Sequence, residues 1–232
     1  MTIESVMREL ETLGSPKVAA VYRRHGAGDV LFGVRFADLR KLARRIGRDQ
    51  DLAADLWATG NTDARLLACM VADPSRMDDD ELDRWLSDIS YYVLVDEFVA
   101  SVAVKAPRVP ERMERWRTSS SDWTGQAGYD LLAHLAMREP SLDDEFFSEH
   151  LGIIEREIHD RGNRTRHAMN GALIAIGIRS DELAAAATAA AARIGVVIVD
   201  HGETGCVTPA AAPYIERARA RMRKRPPSGA TA

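Results

Sequence analysis

The sequence predicts an all-α protein built as a curved array of antiparallel helix pairs, and three observations carry that expectation. Alanine and leucine dominate, while aromatic residues make up only 6% of the chain, a balance that favours helices over strands. Apolar residues recur at helical spacing along most of the sequence. Proline, glycine or a capping residue interrupts that spacing at short intervals.

In chain order, Ser15-Pro16 reads as an N-cap followed by proline at the first helical position. Phe36 to Ile46 places Leu39, Leu42, Ala43 and Ile46 on one face and ends at Gly47. Leu52, Leu56 and Trp57 form the next apolar stripe, closed by Gly60. Thr62 to Asp73 follows, stopped by Pro74, and Asp78, Asp79, Asp80 and Glu81 then mark a first turn, where acidic residues suit the helix dipole. Tyr92 to Ala106 reads as one long helix before Pro107. Pro110 to Arg117, Trp123 to Arg138, Leu142 to His159, Asn163 to Ile178 and Asp181 to Ile194 continue the pattern. Val196 to Val199 has the composition of an extended stretch, and Pro213 to Lys224 reads as a last helix.

Helices of about 10–18 residues with brief links pair antiparallel. Paired units of about 40 residues match the length of HEAT-type repeats, with a globular helical bundle as the rival architecture. The repetition is one of pattern, not of letters. Residues 1–225 are read as one such domain and residues 226–232 as a disordered tail.

Composition narrows the function classes. No run of about 18 apolar residues occurs, and Met1 to Gly14 is charged and amphipathic, unlike a secretory signal. Cys69 and Cys206 are too few and too far apart in sequence for a disulfide framework or a zinc site, so a reduced cytoplasm is expected. The net charge of −4 is a mild argument against nucleic acid. Where the cations sit matters more than their sum.

Arg40, Lys41, Arg44, Arg45 and Arg48 run along the helix face opposite Leu39, Leu42 and Ile46. Arg161, Arg164 and Arg166 cluster at another helix start, where free backbone N–H groups also favour phosphate. A charge run is more often a solvated face, but two clusters recurring on one side of an array suit DNA. Arg217, Arg219, Arg221, Arg223, Lys224 and Arg225 read equally as an accessory arm or a solubilising end.

Helical periodicity puts Tyr92, Asp96, Ala100 and Ala103 on one side, away from Val95, Phe98, Val99 and Val102. Asp96 thus sits beside an aromatic ring and two small residues, an opening suited to a ligand. Taken alone, such a carboxylate more often caps or bridges a neighbouring helix. The Asp200-His201-Gly202-Glu203 segment with Cys206 matches no usual zinc spacing and reads as a structural turn bent at Gly202 and Gly205. Trp116 and Trp123 read as core anchors. His134 and His167 have no identifiable partner.

Several stretches, in order along nearly the whole chain, carry a resemblance. They are Phe32-Gly33-Val34 with Asp38-Leu39-Arg40-Lys41-Leu42-Ala43, and Ala64-Arg65-Leu66-Leu67-Ala68 with Asp73-Pro74. Trp85 with Asp96, Asn170-Gly171-Ala172-Leu173 with Ile176-Gly177, and Val199-Asp200-His201-Gly202-Glu203-Thr204 with Cys206 and Thr208-Pro209 complete the set. Together they resemble the bacterial DNA alkylation repair family, the AlkD-like alkylpurine DNA glycosylases.

The resemblance implies a HEAT-like solenoid that cradles damaged duplex DNA in its concave face. It implies hydrolysis of the N-glycosidic bond of cationic purines such as 3-methyladenine and 7-methylguanine, by a monomer with no metal or organic cofactor. The lesion need not be extruded into a deep pocket. Cleavage develops positive charge on the sugar. A fixed carboxylate lowers that barrier and orients water. By resemblance Asp96 matches the catalytic aspartate, and Tyr92 stands where the family usually has tryptophan. Gln126 stands where an arginine holds the DNA backbone, and Gly171 where a second tryptophan packs near the lesion. Arg40, Lys41, Arg44, Arg45, Arg48, Gln126, Arg164 and Arg166 are the expected DNA contacts. The alternatives are a non-catalytic DNA-binding HEAT-like protein that recognises distorted or branched DNA, and a protein–protein scaffold.

Overall fold

The computed structural model describes residues 1–224, so the tail expected at 226–232 and Arg225 lie outside the described residues. The described chain is helical with no strand. The helices are α1 (Ile3–Leu13), α2 (Pro16–Arg24), α3 (Phe36–Ile46), α4 (Gln50–Ala58) and α5 (Thr62–Val71). Then come α6 (Asp79–Ser87), α7 (Tyr92–Ser101), α8 (Val109–Arg117) and α9 (Asp122–Arg138). The last four are α10 (Asp144–Glu157), α11 (Asn163–Arg179), α12 (Asp181–Ile194) and α13 (Ala211–Lys224). None is long and apolar enough to cross a membrane.

Side-chain caps set most of the starts. Thr2, Asp49, Asn61, Asp78, Ser121, Asp143 and Ser180 each accept a hydrogen bond from a backbone N–H of the helix that follows. Ser15 precedes α2 as expected but makes no side-chain cap. Its backbone N–H instead reaches the carbonyls of Phe32 and Gly33.

Three sequence expectations need correction. The helix expected over Tyr92–Ala106 ends at Ser101, and Ala103–Lys105 form a 3₁₀ turn. The buried Arg112 pins that turn, donating to the carbonyls of Ala103 (3.1 Å) and Pro107 (2.7 Å) and to Asp79 (2.7 Å). Ala103 is consequently buried and does not share the side of Asp96. The helix expected to start at Leu142 starts at Asp144, because Asp143 caps it, and ends in a 3₁₀ turn over Ile158–Asp160. Val196–Val199 is irregular chain, and the Ile198 carbonyl accepts from the Arg166 side chain rather than from a partner strand.

Successive odd-numbered helices from α3 to α13 pack directly on one another, while α4, α6 and α8 stand farther apart. Side-chain size explains the difference. Trp57 on α4 stacks on Trp85 of α6 at 4.1 Å, and Phe98 links Trp85 to Trp116 of α8, so large rings prop open the even side. The odd side is lined with small residues, among them Ala64, Ala68, Ala127, Ala168 and Ala172. An array tight on one face and propped on the other bends, and the odd-numbered helices form its concave side.

Gly128 of α9 is one of the closest approaches. A methyl group added there would collide with the main chain of Arg117 on α8. Gly128→Ala should therefore cost about 1–3 kcal/mol through overpacking. The expected reading is a lower urea midpoint at unchanged slope. An unchanged midpoint would mean that α8 and α9 do not meet this closely.

Many arginines serve as braces. Arg65 donates to the carbonyls of Trp57 and Asp88, Arg161 to those of Arg117 and Ser119, and Arg179 to those of Ala136 and Leu142. These carbonyls lie at or just beyond helix ends, where backbone acceptors lack partners and cations are favoured. This use of cations as internal struts is a reason that arginine content alone says little about a ligand.

Candidate functional site

On the concave side, α7, α9 and α11 bring four polar side chains together: Asp96, Gln126, Asp130 and Arg164. Gln126 is buried, and its Nε2 donates to Asp96 Oδ1 at 2.8 Å and to the main-chain oxygen of Tyr92 at 3.3 Å. The Arg164 guanidinium lies over the Tyr92 ring, 3.9 Å from its centre, a cation–π contact. The Tyr92 hydroxyl meets His25 Nδ1 at 2.5 Å, in the loop that leads to α3. Asp130 follows Gln126 by one helical turn, which puts it on the same face of α9.

Asp96 keeps an accessible carboxyl, yet α9 and α11 rise around it, as at the floor of a groove. That crowding works against ionisation and lifts Asp96 to about 6, with Glu97 pushing the same way. The Gln126 hydrogen bond and the Arg164 charge oppose the rise. Asp130 is raised well above the usual carboxylate range, first by burial and then by the Asp96 charge. Burial raises the Tyr92 hydroxyl as well, with Cys206 close by and Arg164 acting in the opposite direction.

The irregular segment 195–210 runs along α11 and closes one end of the site. Asn163 Nδ2 donates to the Asp200 carbonyl at 2.8 Å, and the Asp200 N–H returns a bond to Asn163 Oδ1 at 2.7 Å. Arg166 donates to the Ile198 carbonyl (2.9 Å) and Asn170 to that of Pro209 (3.1 Å). The His201 ring packs edge-on against His167 with centres 5.3 Å apart. Burial, Arg164 and His201 push His167 down to about 4, so it is neutral at neutral pH. A turn closed by the Gly202 N–H on Asp200 Oδ1 (2.8 Å), with Gly202 at φ +60°, begins the motif. Both cysteines are free, Cys69 buried and Cys206 exposed.

The basic residues divide by helix face. Arg40 and Arg44 share one side of α3 and are exposed. Arg40 lies over the Phe36 ring, and a relay of ring contacts, Phe36 to Tyr22, Tyr22 to Tyr91 and Tyr91 to Tyr92, carries that side across to the Asp96 site. Lys41, Arg45 and Arg48 are turned to Asp38 (3.7 Å), Glu9 (2.6 Å) and Asp73 (3.8 Å). The second expected cluster does not assemble. Arg164 joins the site, whereas Arg166 is occupied by the carbonyls of Ile158, His159, Arg161 and Ile198. Nor are the first N–H groups of α11 free for phosphate: Asp122 accepts from Arg164 N (2.9 Å) and Thr165 N (2.7 Å).

Gly171 lies two turns along α11 from Arg164 and is exposed, and an added Cβ would meet no atom within 4 Å. The groove is open there. The face of the Tyr92 ring is covered by Arg164. Sequence reasoning missed Asp130, His25 and the His167–His201 pair. The four-residue spacing from Gln126 was the available signal for Asp130.

The sequence matches the family described as DNA alkylation repair enzyme over residues 6–203. An uncharacterised protein of Listeria innocua is 28% identical over 232 residues, covering 96% of this chain and 99% of the relative. An uncharacterised protein of Listeria monocytogenes is 28% identical over 230 residues, covering 96% and 100%. A solved structure with a TM-score of 0.88 and 28% identity covers 96% of each chain. It is described as a new family of proteins related to the HEAT-like repeat DNA glycosylases with affinity for branched DNA structures. The array of helix pairs is thus of the HEAT-like type.

Proposed function

The chain belongs to the DNA alkylation repair enzyme family, and from that premise we propose that it binds branched or otherwise distorted DNA along its concave face, by shape and phosphate contacts, without excising bases. Arg164 is the central phosphate contact, with Arg40 and Arg44 farther along the groove. Branched DNA is favoured over intact duplex because the structurally similar protein has affinity for branched structures.

One observation carries the non-catalytic part. Gln126 brings no positive charge to the groove, and its amide is already bonded to Asp96 and to the Tyr92 carbonyl. Beside it the Tyr92 ring is covered by Arg164 and Gly171 leaves a gap. Fixing a sugar against a carboxylate takes a charge-assisted grip on the backbone and a wall on the other side. Gln126 cannot give that grip beside Asp96, and at Gly171 the wall is missing.

The second reading is the alkylpurine glycosylase, favoured by the solvent-open Asp96 carboxyl. In that case the carboxylate stabilises the developing sugar cation, and a base that is already cationic leaves without protonation.

Base release separates the two. Duplex DNA carrying 7-methylguanine and 3-methyladenine, incubated with the wild type and with Asp96→Asn, should lose bases at one shared background rate. Faster release by the wild type that Asp96→Asn reduces by about 10²-fold or more would overturn the non-catalytic reading and establish the glycosylase.

A further inference from the structure

We infer that Asp96 and Asp130, both beside the Gln126 side chain, hold one proton between them while DNA lies in the groove, and that Asp130 is the positioning residue that keeps this proton beside Asp96. The inference rests on the reading that the concave face binds DNA.

The cluster is rich in acceptors and poor in donors. The Gln126 NH₂ group is directed to Asp96 and the Tyr92 carbonyl and lies beside Asp130, while the Arg164 guanidinium is turned onto the Tyr92 ring, its Nε buried without an acceptor and so out of reach of the carboxyls. Gln126 Oε1 and Asp130 Oδ2 are both buried with no donor among the described residues. A buried acceptor without a donor is unfavourable, and a proton on the carboxyl pair is the smallest change that supplies one.

The groups around Asp96 are Tyr92 and Glu97 on α7, Gln126 and Asp130 on α9, and Arg164 on α11 with His167 beside it. His25 reaches the Tyr92 hydroxyl, Cys206 approaches Tyr92 from the C-terminal segment, and His201 packs on His167. Arg164 is the one permanently positive group among them. Two ionised carboxylates would outweigh it and repel the phosphates it attracts. With one proton retained, Asp96 and Asp130 together carry a single negative charge that Arg164 offsets, leaving Glu97 as the excess.

The sign follows. In the free protein both carboxyls hold their protons above the usual carboxylate range, Asp96 to about 6. Phosphates close by add negative charge, so the bound pair gives up its proton at higher pH. Binding therefore takes up a proton near neutrality, and affinity falls as pH rises between the free and bound titration points. The expected loss is about tenfold between pH 6 and pH 7.5.

The test uses a four-way DNA junction, the wild type and Asp130→Asn, which keeps the shape but cannot hold the proton. Affinity is measured from pH 5.5 to 8, with calorimetry in two buffers of different ionisation heat to count protons. The wild type should take up close to one proton at pH 7 and show the tenfold loss, while Asp130→Asn should lose most of both. Any histidine contribution persists in Asp130→Asn, so equal uptake and equal pH dependence in the two proteins would overturn the inference. Should Asp130→Asn fail to fold, carbon-13 carboxyl titration of the free wild type decides the matter. Two interacting aspartates titrating above the ordinary range are expected, and ordinary titration of both overturns it. A protein that binds no junction at any pH defeats the DNA-binding reading, while the carboxyl titration still reports on the pair.

Discussion

Arg164→Glu should weaken binding to a four-way DNA junction by on the order of 10-fold to 100-fold at moderate salt. Arg164 is the cation at the centre of the groove, held over the Tyr92 ring and facing Asp96 and Asp130. Reversal removes a phosphate contact and adds a third carboxylate. Loss of one phosphate contact should also lower the slope of log affinity against log salt by about one. Arg166→Ala is the control from the same helix. Its guanidinium is bonded to four main-chain carbonyls, so its loss should lower stability while leaving the salt slope nearly unchanged. Equal loss of affinity and slope in both would show that the sorting of struts from contacts is mistaken. Filter binding at three salt concentrations is sufficient to read the difference.

Asp63→Ala should cost about 3–5 kcal/mol of folding stability, the largest stability effect expected from one residue here. Asp63 is fully buried at the start of α5 and accepts three backbone N–H groups of the preceding loop. These come from Phe32 (2.6 Å), Gly33 (2.9 Å) and Val34 (2.8 Å). Gly33 has φ +80° and packs against the main chain of Ser15 and Ala19, so the loop follows a path that other residues rarely adopt. The Tyr22 hydroxyl closes the same loop on the Val34 carbonyl at 2.7 Å. Burial and the Asp63 charge push that hydroxyl up to about 12. Removing Asp63 leaves two buried donors and one half-buried donor without an acceptor. The loop also carries His25, the partner of the Tyr92 hydroxyl, so the damage should reach the site. Asp63→Asn retains one acceptor oxygen and should lose less. Chemical denaturation of the two variants checks the order, and equal small losses would contradict the latch.

The helices were legible because their signals are local. Apolar spacing, Gly47, Gly60, Pro74 and Asp181 fixed boundaries to within a residue or two. The early end of α7 was not legible. It depends on Arg112, which reaches back from the next helix to hold the Ala103 and Pro107 carbonyls. Asp96 stood out on its own helix through its position opposite an apolar face. Its partner Asp130 did not, because two carboxyls become a pair only when α7 and α9 pack side by side. The arginines illustrate the same limit. Arg164 and Arg166 are two residues apart and read alike in sequence. One faces the groove and the other braces a turn, a difference set by which carbonyls the fold brings within reach.

On the proposed function, the odd-numbered helices present a groove for branched DNA centred on Arg164. That reading is tested most directly by competition. A labelled four-way junction bound to the wild type is challenged with unlabelled junction and with linear duplex of equal length. The same titration is then repeated on Arg40→Glu/Arg44→Glu/Arg164→Glu. The expected result is displacement by junction at concentrations well below those of duplex, with binding lost in the triple variant and circular dichroism unchanged. Equal displacement by the two DNAs, or a triple variant that binds as the wild type does, would contradict it.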